Sequence, residues 1–255
     1  MKELLLAQDV SEVFGGLKAV ADFNFYINPG ELVGLIGPNG AGKTTAFNLF
    51  TGVYQPTTGT IVFNGRSIVG LKPYQITQMG IARTFQNIRL FSELTVLDNV
   101  KIAYHSRVKY SLAEAVCRVG RYFGEEEKIY AESMGLLKIF KLEQVAGEVA
   151  KNLPYGAQRR LEIARALATH PKLLLLDEPA AGMNPQETQE LMDMIRWIRK
   201  EFDLTILLIE HDMSLVMGIC ERIYVLEYGT VIADGSPEEI KSNPEVIKAY
   251  LGEEA

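Results

Sequence analysis

The stretch Gly30-Glu31-Leu32-Val33-Gly34-Leu35-Ile36-Gly37-Pro38-Asn39-Gly40-Ala41-Gly42-Lys43-Thr44-Thr45-Ala46-Phe47-Asn48-Leu49-Phe50 passes from a short apolar, β-leaning run through a glycine-rich loop into a segment able to carry a helix. Within it, residues 37–44 satisfy the pattern G-x-x-x-x-G-K-[ST] in the strand–loop–helix context that the pattern requires. Glycines at 37, 40 and 42 let the backbone curl until successive N–H groups face an anion, and the following helix adds its positive end. Lys43 brings a full charge to the terminal phosphates, and the Thr44 hydroxyl can ligate Mg²⁺. The expected cradle is Gly37, Pro38, Asn39, Gly40, Ala41, Gly42, Lys43, Thr44 and Thr45, and its ligand a nucleoside triphosphate.

The rest of the composition narrows the class. With 255 residues the chain can bury one large or two modest cores. Its longest apolar runs, 173–176 and 204–209, are far shorter than the ~20 residues that span a bilayer, and no charged-then-apolar leader opens it, so secretion is not expected. A net charge of −6 argues against broad nucleic-acid binding, which needs a basic surface. Cys117 and Cys220 lie far apart without C-x-x-C partners, and His105, His170 and His211 lack metal-ligand spacing. These features predict a cytoplasmic α/β protein with reduced thiols.

Along the chain, the N-terminal third reads as β: strands at 3–13 and 23–27, the turn Asn28-Pro29-Gly30, and a strand at 60–63 running into the hairpin dipeptide Asn64-Gly65. From about 95 to 149 the period changes. Val96, Val100 and Ala103 recur at helical spacing, as do Leu112, Ala115, Val116 and Val119, with Glu125-Glu126-Glu127 among the charges between. The α/β pattern returns at Tyr155 with a helix over 157–169, a strand over 172–177, a helix over 185–202 and a strand over 205–209. Short strands at 223–227 and 231–234 flank Tyr228-Gly229. Ser236-Pro237-Glu238-Glu239 has the form of a capping box, and Asn243-Pro244 opens the last helix similarly. The expected organisation is one nucleotide-binding domain, with a core of residues 1–86 and 155–255 and a helical subdomain over 87–154.

A second constellation stands at Leu173-Leu174-Leu175-Leu176-Asp177-Glu178-Pro179. A buried strand ending in two carboxylates puts acid at the carboxyl edge of a parallel sheet, where such sheets bind ligands. Asp177 is expected to hold Mg²⁺, partly through water. Glu178 points elsewhere and can polarise an attacking water.

Together, the phosphate loop, Gln86 after Ala82-Arg83-Thr84-Phe85, the segment Leu153-Pro154-Tyr155-Gly156-Ala157-Gln158, Asp177-Glu178 and His211 resemble, in order and spacing over the entire chain, the ATP-binding subunit of an ABC transporter. Phe14-Gly15-Gly16-Leu17-Lys18-Ala19, Arg83-Thr84-Phe85-Gln86, Ala180-Ala181-Gly182-Met183-Asn184-Pro185, Ile209-Glu210-His211-Asp212-Met213 and Ala249-Tyr250-Leu251-Gly252-Glu253 resemble the larger ATPase subunit of branched-chain amino-acid importers. The resemblance implies an α/β P-loop NTPase core of the ABC type, with an N-terminal antiparallel β subdomain and an inserted helical subdomain. It implies ATP and Mg²⁺ as cofactors. By position, Phe14 matches the aromatic that stacks on adenine and Gln86 the glutamine that senses Mg²⁺ and the attacking water. His211 matches the switch histidine on the γ-phosphate, and residues 153–158 match the signature loop that binds ATP held by a second ATPase subunit.

Three positions depart from the family pattern. Pro154 stands where a serine hydroxyl is frequent, Ala157 where glutamine is, and Asn184 where aspartate is. Contact in trans should therefore rest on backbone and on Gly156, because Pro154 donates no hydrogen bond. The implied partners are a second ATPase subunit, identical or related, two integral membrane permease subunits and, indirectly, a solute-binding protein. No nucleic acid is expected. The chain would then sit on the inner face of the cell membrane through the permeases, with Asn87-Ile88-Arg89-Leu90-Phe91 as the expected contact. The sequence leaves as alternatives the ATPase of a urea or amide importer or of a lipopolysaccharide exporter, a soluble non-transport ABC ATPase, and a nucleotide-binding regulator without turnover. Glu178 and His211 speak against the last, since a pure sensor needs no water-activating acid.

Overall fold

The structure is a computed structural model and describes residues 2–251; Gly252 and Glu253 of the family-like ending lie outside the described residues. In chain order the elements are β1 (Leu5–Phe14), β2 (Leu17–Ile27), β3 (Leu32–Ile36), α1 (Lys43–Phe50), β4 (Thr58–Phe63), β5 (Arg66–Ser67), α2 (Pro73–Met79), β6 (Ile81–Arg83), α3 (Val96–Tyr104), α4 (Leu112–Cys117), α5 (Tyr122–Ile139), α6 (Tyr155–Leu167), β7 (Leu173–Asp177), α7 (Pro185–Glu201), β8 (Thr205–Ile209), α8 (Met213–Ile219), β9 (Arg222–Glu227), β10 (Thr230–Gly235), α9 (Pro237–Ser242) and α10 (Pro244–Leu251). They form two compact units, residues 1–86 with 172–255, and residues 87–171.

The first unit holds two sheets. One is antiparallel, in the order β2-β1-β4-β5; the other runs β10-β9-β3-β8-β7-β6, parallel except for β10. Strands β3, β7 and β8 are buried along their whole length, which explains why Leu, Ile and Val dominate them. The hairpin at Asn64-Gly65 has φ of 47° and 76°, the left-handed pair that suits the twist of flanking strands. Helix α1 is pinned by aromatic packing: Phe25 meets Phe50 at 5.4 Å and Tyr224 of β9 at 4.6 Å, and Phe23 stacks on Phe25 at 5.7 Å. Phe23, Phe25, Phe47 and Phe50 are all buried. At roughly 1.5–3 kcal/mol for each buried phenylalanine, this cluster fixes the helix that carries the phosphate loop.

The second unit is helical. Its α3 packs against α5 and α6, with Val96, Val100, Leu136, Leu137, Phe140 and Leu161 buried. Thr95 caps α3 by accepting the Asp98 N–H. A fully buried pair, Arg159 to Glu162 at 2.8 Å, lies within α6, and Glu162 also accepts the Arg89 N–H.

The structure differs from the sequence expectation at two places. Helix α6 begins at Tyr155 but groups with the helical unit, so the division falls at 171/172 rather than 154/155; it packs on α3, and the chain leaves it only through His170-Pro171. The helical spacing over 112–119 yields only α4, which stops at Cys117 because Arg118 turns left-handed at φ 52°. Its apolar side chains are not buried: Leu112 is 82% exposed and Val116 75%.

Candidate nucleotide-binding site

The phosphate loop, Gln86, Asp177, Glu178 and His211 all belong to the first unit. The loop between β3 and α1 takes its shape from two glycines that no other residue could replace there. Gly37 has φ +148°, and a Cβ on it would stand 2.0 Å from the Leu226 carbonyl oxygen; Gly42, at φ +103°, would put one 2.5 Å from the Ala19 oxygen. The close approach of β9 and β2 to the loop therefore depends on hydrogen at both positions. Lys43 is buried, and its Nζ donates to the carbonyls of Gly37 at 2.7 Å and Pro38 at 2.9 Å. Burial pushes its ammonium below the ordinary lysine range, while the carboxylates of Glu178 and Asp177 pull the other way. A cation held in this manner, beside a helix N-terminus, is prepared for an anionic ligand.

A cavity of about 600 Å³ opens over the loop. Its walls bring together residues 39–45, Gln86, Glu178 and His211, and add Leu17, Lys18 and Ala19 of β2 and Tyr228 of the β9–β10 turn. At one end the Glu178 carboxylate accepts from Gln86 Nε2 on one oxygen and faces His211 Nε2 on the other, each at 2.7 Å. A carboxylate oxygen only accepts, so His211 Nε2 carries the proton in this contact. Glu178 itself sits at φ 46°, a left-handed conformation seldom adopted outside glycine, and its N–H is tied to the Ile209 carbonyl of β8 at 2.9 Å. Gln86 and Glu178, expected to act on the attacking water, and His211, expected at the γ-phosphate, thus meet at one carboxylate.

Asp177 is the last residue of β7, buried one position before Glu178. It makes an ion pair with Arg83 at 2.6 Å. Thr44, Gln86 and Asp177 offer only hard oxygen donors, and among the described residues no group of three or more His, Cys, Asp or Glu could hold a metal. That donor set fits Mg²⁺, which binds through one or two protein oxygens and the phosphates rather than in a protein cage.

Other expected residues lie elsewhere. Phe14 ends β1, 42% exposed, with its ring edge-on to Tyr54 at 5.1 Å, and it does not line the cavity. Residues 153–158 belong to the helical unit. There Pro154 caps α6, its carbonyl accepting from Ala157 and Gln158 N–H groups, and Gly156 stands in the first turn. The Gln158 side chain donates to the Leu153 carbonyl at 2.8 Å, closing the loop on itself. Tyr155 is exposed and Leu153 and Ala157 are buried.

Sequence reasoning gave no part to Arg83, Asn48 or Glu210. Buried Glu210 accepts the N–H groups of Ala180 at 2.7 Å and His211 at 3.1 Å, so it ties the segment after Glu178 to the histidine; burial raises its carboxyl above the usual carboxylate range. Its place beside His211 after a buried strand was the one available signal.

Comparison with known proteins agrees with this geometry. A family model described as ABC transporter matches residues 20–181, and one described as branched-chain amino acid ATP-binding cassette transporter matches residues 230–255. The high-affinity branched-chain amino acid transport ATP-binding protein LivG of Escherichia coli K12 is 50% identical over 240 residues, 94% of each chain. The lipopolysaccharide export system ATP-binding protein LptB of Haemophilus influenzae is 32% identical over 98% of each. Among solved structures, the ADP conformation of MJ1267, an ATP-binding cassette of an ABC transporter, superposes with a TM-score of 0.85 at 30% identity, covering 99% of this chain and all of that one. The dimeric post-hydrolysis state of the ATP-binding cassette MJ0796 bound to ADP and Pi gives 0.77 at 25% identity, covering 91% of this chain and 98% of that one. The phosphate loop, the acids after β7 and matches of this extent place the chain in the ABC transporter family, as one of its ATP-binding proteins.

Proposed function

We propose that this chain is the ATP-hydrolysing subunit of a high-affinity branched-chain amino-acid importer. The observation that carries the hydrolytic part is the Glu178 carboxylate held between Gln86 and His211, each at 2.7 Å, at the edge of the phosphate-loop cavity. Lys43 and the N–H groups of the loop bind the β- and γ-phosphates. Glu178 accepts a proton from the attacking water, Gln86 orients that water, and His211 holds the carboxylate and reaches the γ-phosphate. Thr44, Asp177 and Gln86 would hold Mg²⁺, which neutralises phosphate charge when bound. Leu17, Lys18 and Ala19 of β2, which line the cavity, are the candidate adenine contacts, with Phe14 outside it in the free chain. The specificity for leucine, isoleucine and valine rests on the likeness to LivG at 50% identity, against 32% for the lipopolysaccharide exporter's subunit, and on the C-terminal family match.

In this reading two ATPase subunits enclose ATP between one subunit's phosphate loop and the other's residues 153–158, and two permeases carry the pair at the membrane. No helix among the described residues is long and apolar enough to cross a membrane, so attachment would run through those permeases. The test is retention: tagged Glu178→Gln chain is recovered from its native membranes with Mg-ATP and its partners are identified. Two permeases and loss of labelled leucine uptake in a deletion strain are the expected result. Recovery without any membrane protein would refute the transporter reading.

A further inference from the structure

Asp177 has an ion pair with a cation that no part of the proposed hydrolytic scheme uses. Arg83, at the end of β6, sends one guanidinium nitrogen to Asp177 Oδ2 at 2.6 Å and the other to Asn48 Oδ1 of α1, also at 2.6 Å. Side chains of both charged partners are nearly closed to solvent, 7% exposed for Arg83 and 5% for Asp177. The guanidinium also makes cation–π contacts with two rings, 5.4 Å from the Phe47 centroid and 5.1 Å from that of Phe85. Its Nε is buried without a hydrogen-bond partner, so the group sits where the carboxylate requires it and not where its own donors are best satisfied. Lys43 is committed to Gly37 and Pro38, and Arg83 is the one ion-pair partner of Asp177 among the described residues.

We infer that Arg83 is a positioning residue that stands in for the divalent cation: it neutralises and aims Asp177 while no metal is there, and competes with the metal for that carboxylate. An isolated carboxylate this deeply buried is costly, and removal of one partner from such a pair is among the larger single-residue penalties. The same positive charge repels an arriving dication across a low-dielectric site. Because Arg83 also grips Asn48, the acid, the phosphate-loop helix and the strand leading to Gln86 share one anchor. Arginine suits this place because its planar fork serves two acceptors at once, which lysine cannot.

The inference rests on the reading of Asp177 as the metal-facing acid, and the experiment separates the two. ATP binding is measured by calorimetry in Mg²⁺ and in EDTA for the parent chain, Arg83→Gln, Arg83→Lys and Asp177→Asn, and the ratio of the two affinities is compared. Asp177→Asn should lower the ratio; if it does not, the acid's own assignment fails. Arg83→Gln should raise the ratio at least tenfold, and Arg83→Lys, with its charge kept, should stay within about threefold of the parent. A purely structural role lowers both affinities together and leaves the ratio unchanged, which would overturn the inference while sparing Asp177. Melting in EDTA gives a second reading. Arg83→Gln should lose about ten degrees of Tm, and Arg83→Gln with Asp177→Asn should regain most of it. A double variant no more stable than Arg83→Gln alone would also overturn the inference.

Discussion

Replacing Glu178 by glutamine changes one oxygen to an amide of nearly the same shape. Both carboxylate oxygens are engaged, by Gln86 and by His211 at 2.7 Å, and an amide offers one acceptor where two are needed. One of the two contacts therefore becomes donor facing donor. Loss of one charge-assisted bond is worth about 1.5–3 kcal/mol, but a rotation of Gln86 or His211 relieves much of it. The larger effect is on the reaction: without a carboxylate, the water has no proton acceptor, and general-base losses run at 10²–10⁴-fold, about 3–5 kcal/mol of barrier. ATP affinity should hold or improve, because Glu178 lies near enough to Lys43 to be felt electrostatically and its negative charge opposes the triphosphate. Phosphate release at saturating Mg-ATP, calorimetric ATP affinity and light scattering with Mg-ATP check the three parts. Expected are turnover at least a hundredfold down, affinity within about threefold of the parent or tighter, and accumulation of a dimer. Turnover within tenfold of the parent at unchanged affinity would remove Glu178 from the role of base.

Lys43 gives a pH signature. Its ammonium is lowered by burial, with partial compensation from Glu178 and Asp177, so the free protein loses this charge as pH rises through a value below 10.5. ATP affinity should be level at neutral pH and fall about tenfold per unit above that point; Glu178→Gln removes part of the compensation and should move the alkaline limb to still lower pH, whereas a limb at or above 10.5 would contradict the assignment. Gly37→Ala should be severe, because its Cβ would stand 2.0 Å from a strand carbonyl and its φ of +148° is strained for alanine. We expect a loss of about 3 kcal/mol or more, a fall in Tm of roughly 6–12 °C, with nucleotide binding abolished; thermal melting near the parent value would refute the packing argument.

What was legible in the sequence is what local chemistry decides. Strands β7 and β8 declare themselves because four consecutive apolar residues in each, 173–176 and 206–209, suit a position buried on both faces. The capping box at Ser236 forms as spelled, Ser236 Oγ accepting the Glu239 N–H. Asn184 is instructive: read as a departure from the family, it caps α7 with Pro185 and Glu187 in register, its Oδ1 accepting the Glu187 N–H at 3.0 Å. Asparagine and aspartate are equivalent caps, so the change leaves this helix start intact. Helical spacing, by contrast, states a period and not a neighbour. Leu112 and Val116 share a face of α4 that no part of the described chain covers, while Val96 and Val100, with the same kind of spacing, are fully buried. The Arg83–Asp177 pair was hidden for a different reason. Its partners are 94 positions apart and meet because β6 and β7 pair in parallel with Arg83 opposite Leu175, which brings the end of one strand alongside the end of the other. A register fixed by apolar strands thereby decides which cation reaches a buried acid, and neither residue alone carries any sign of it.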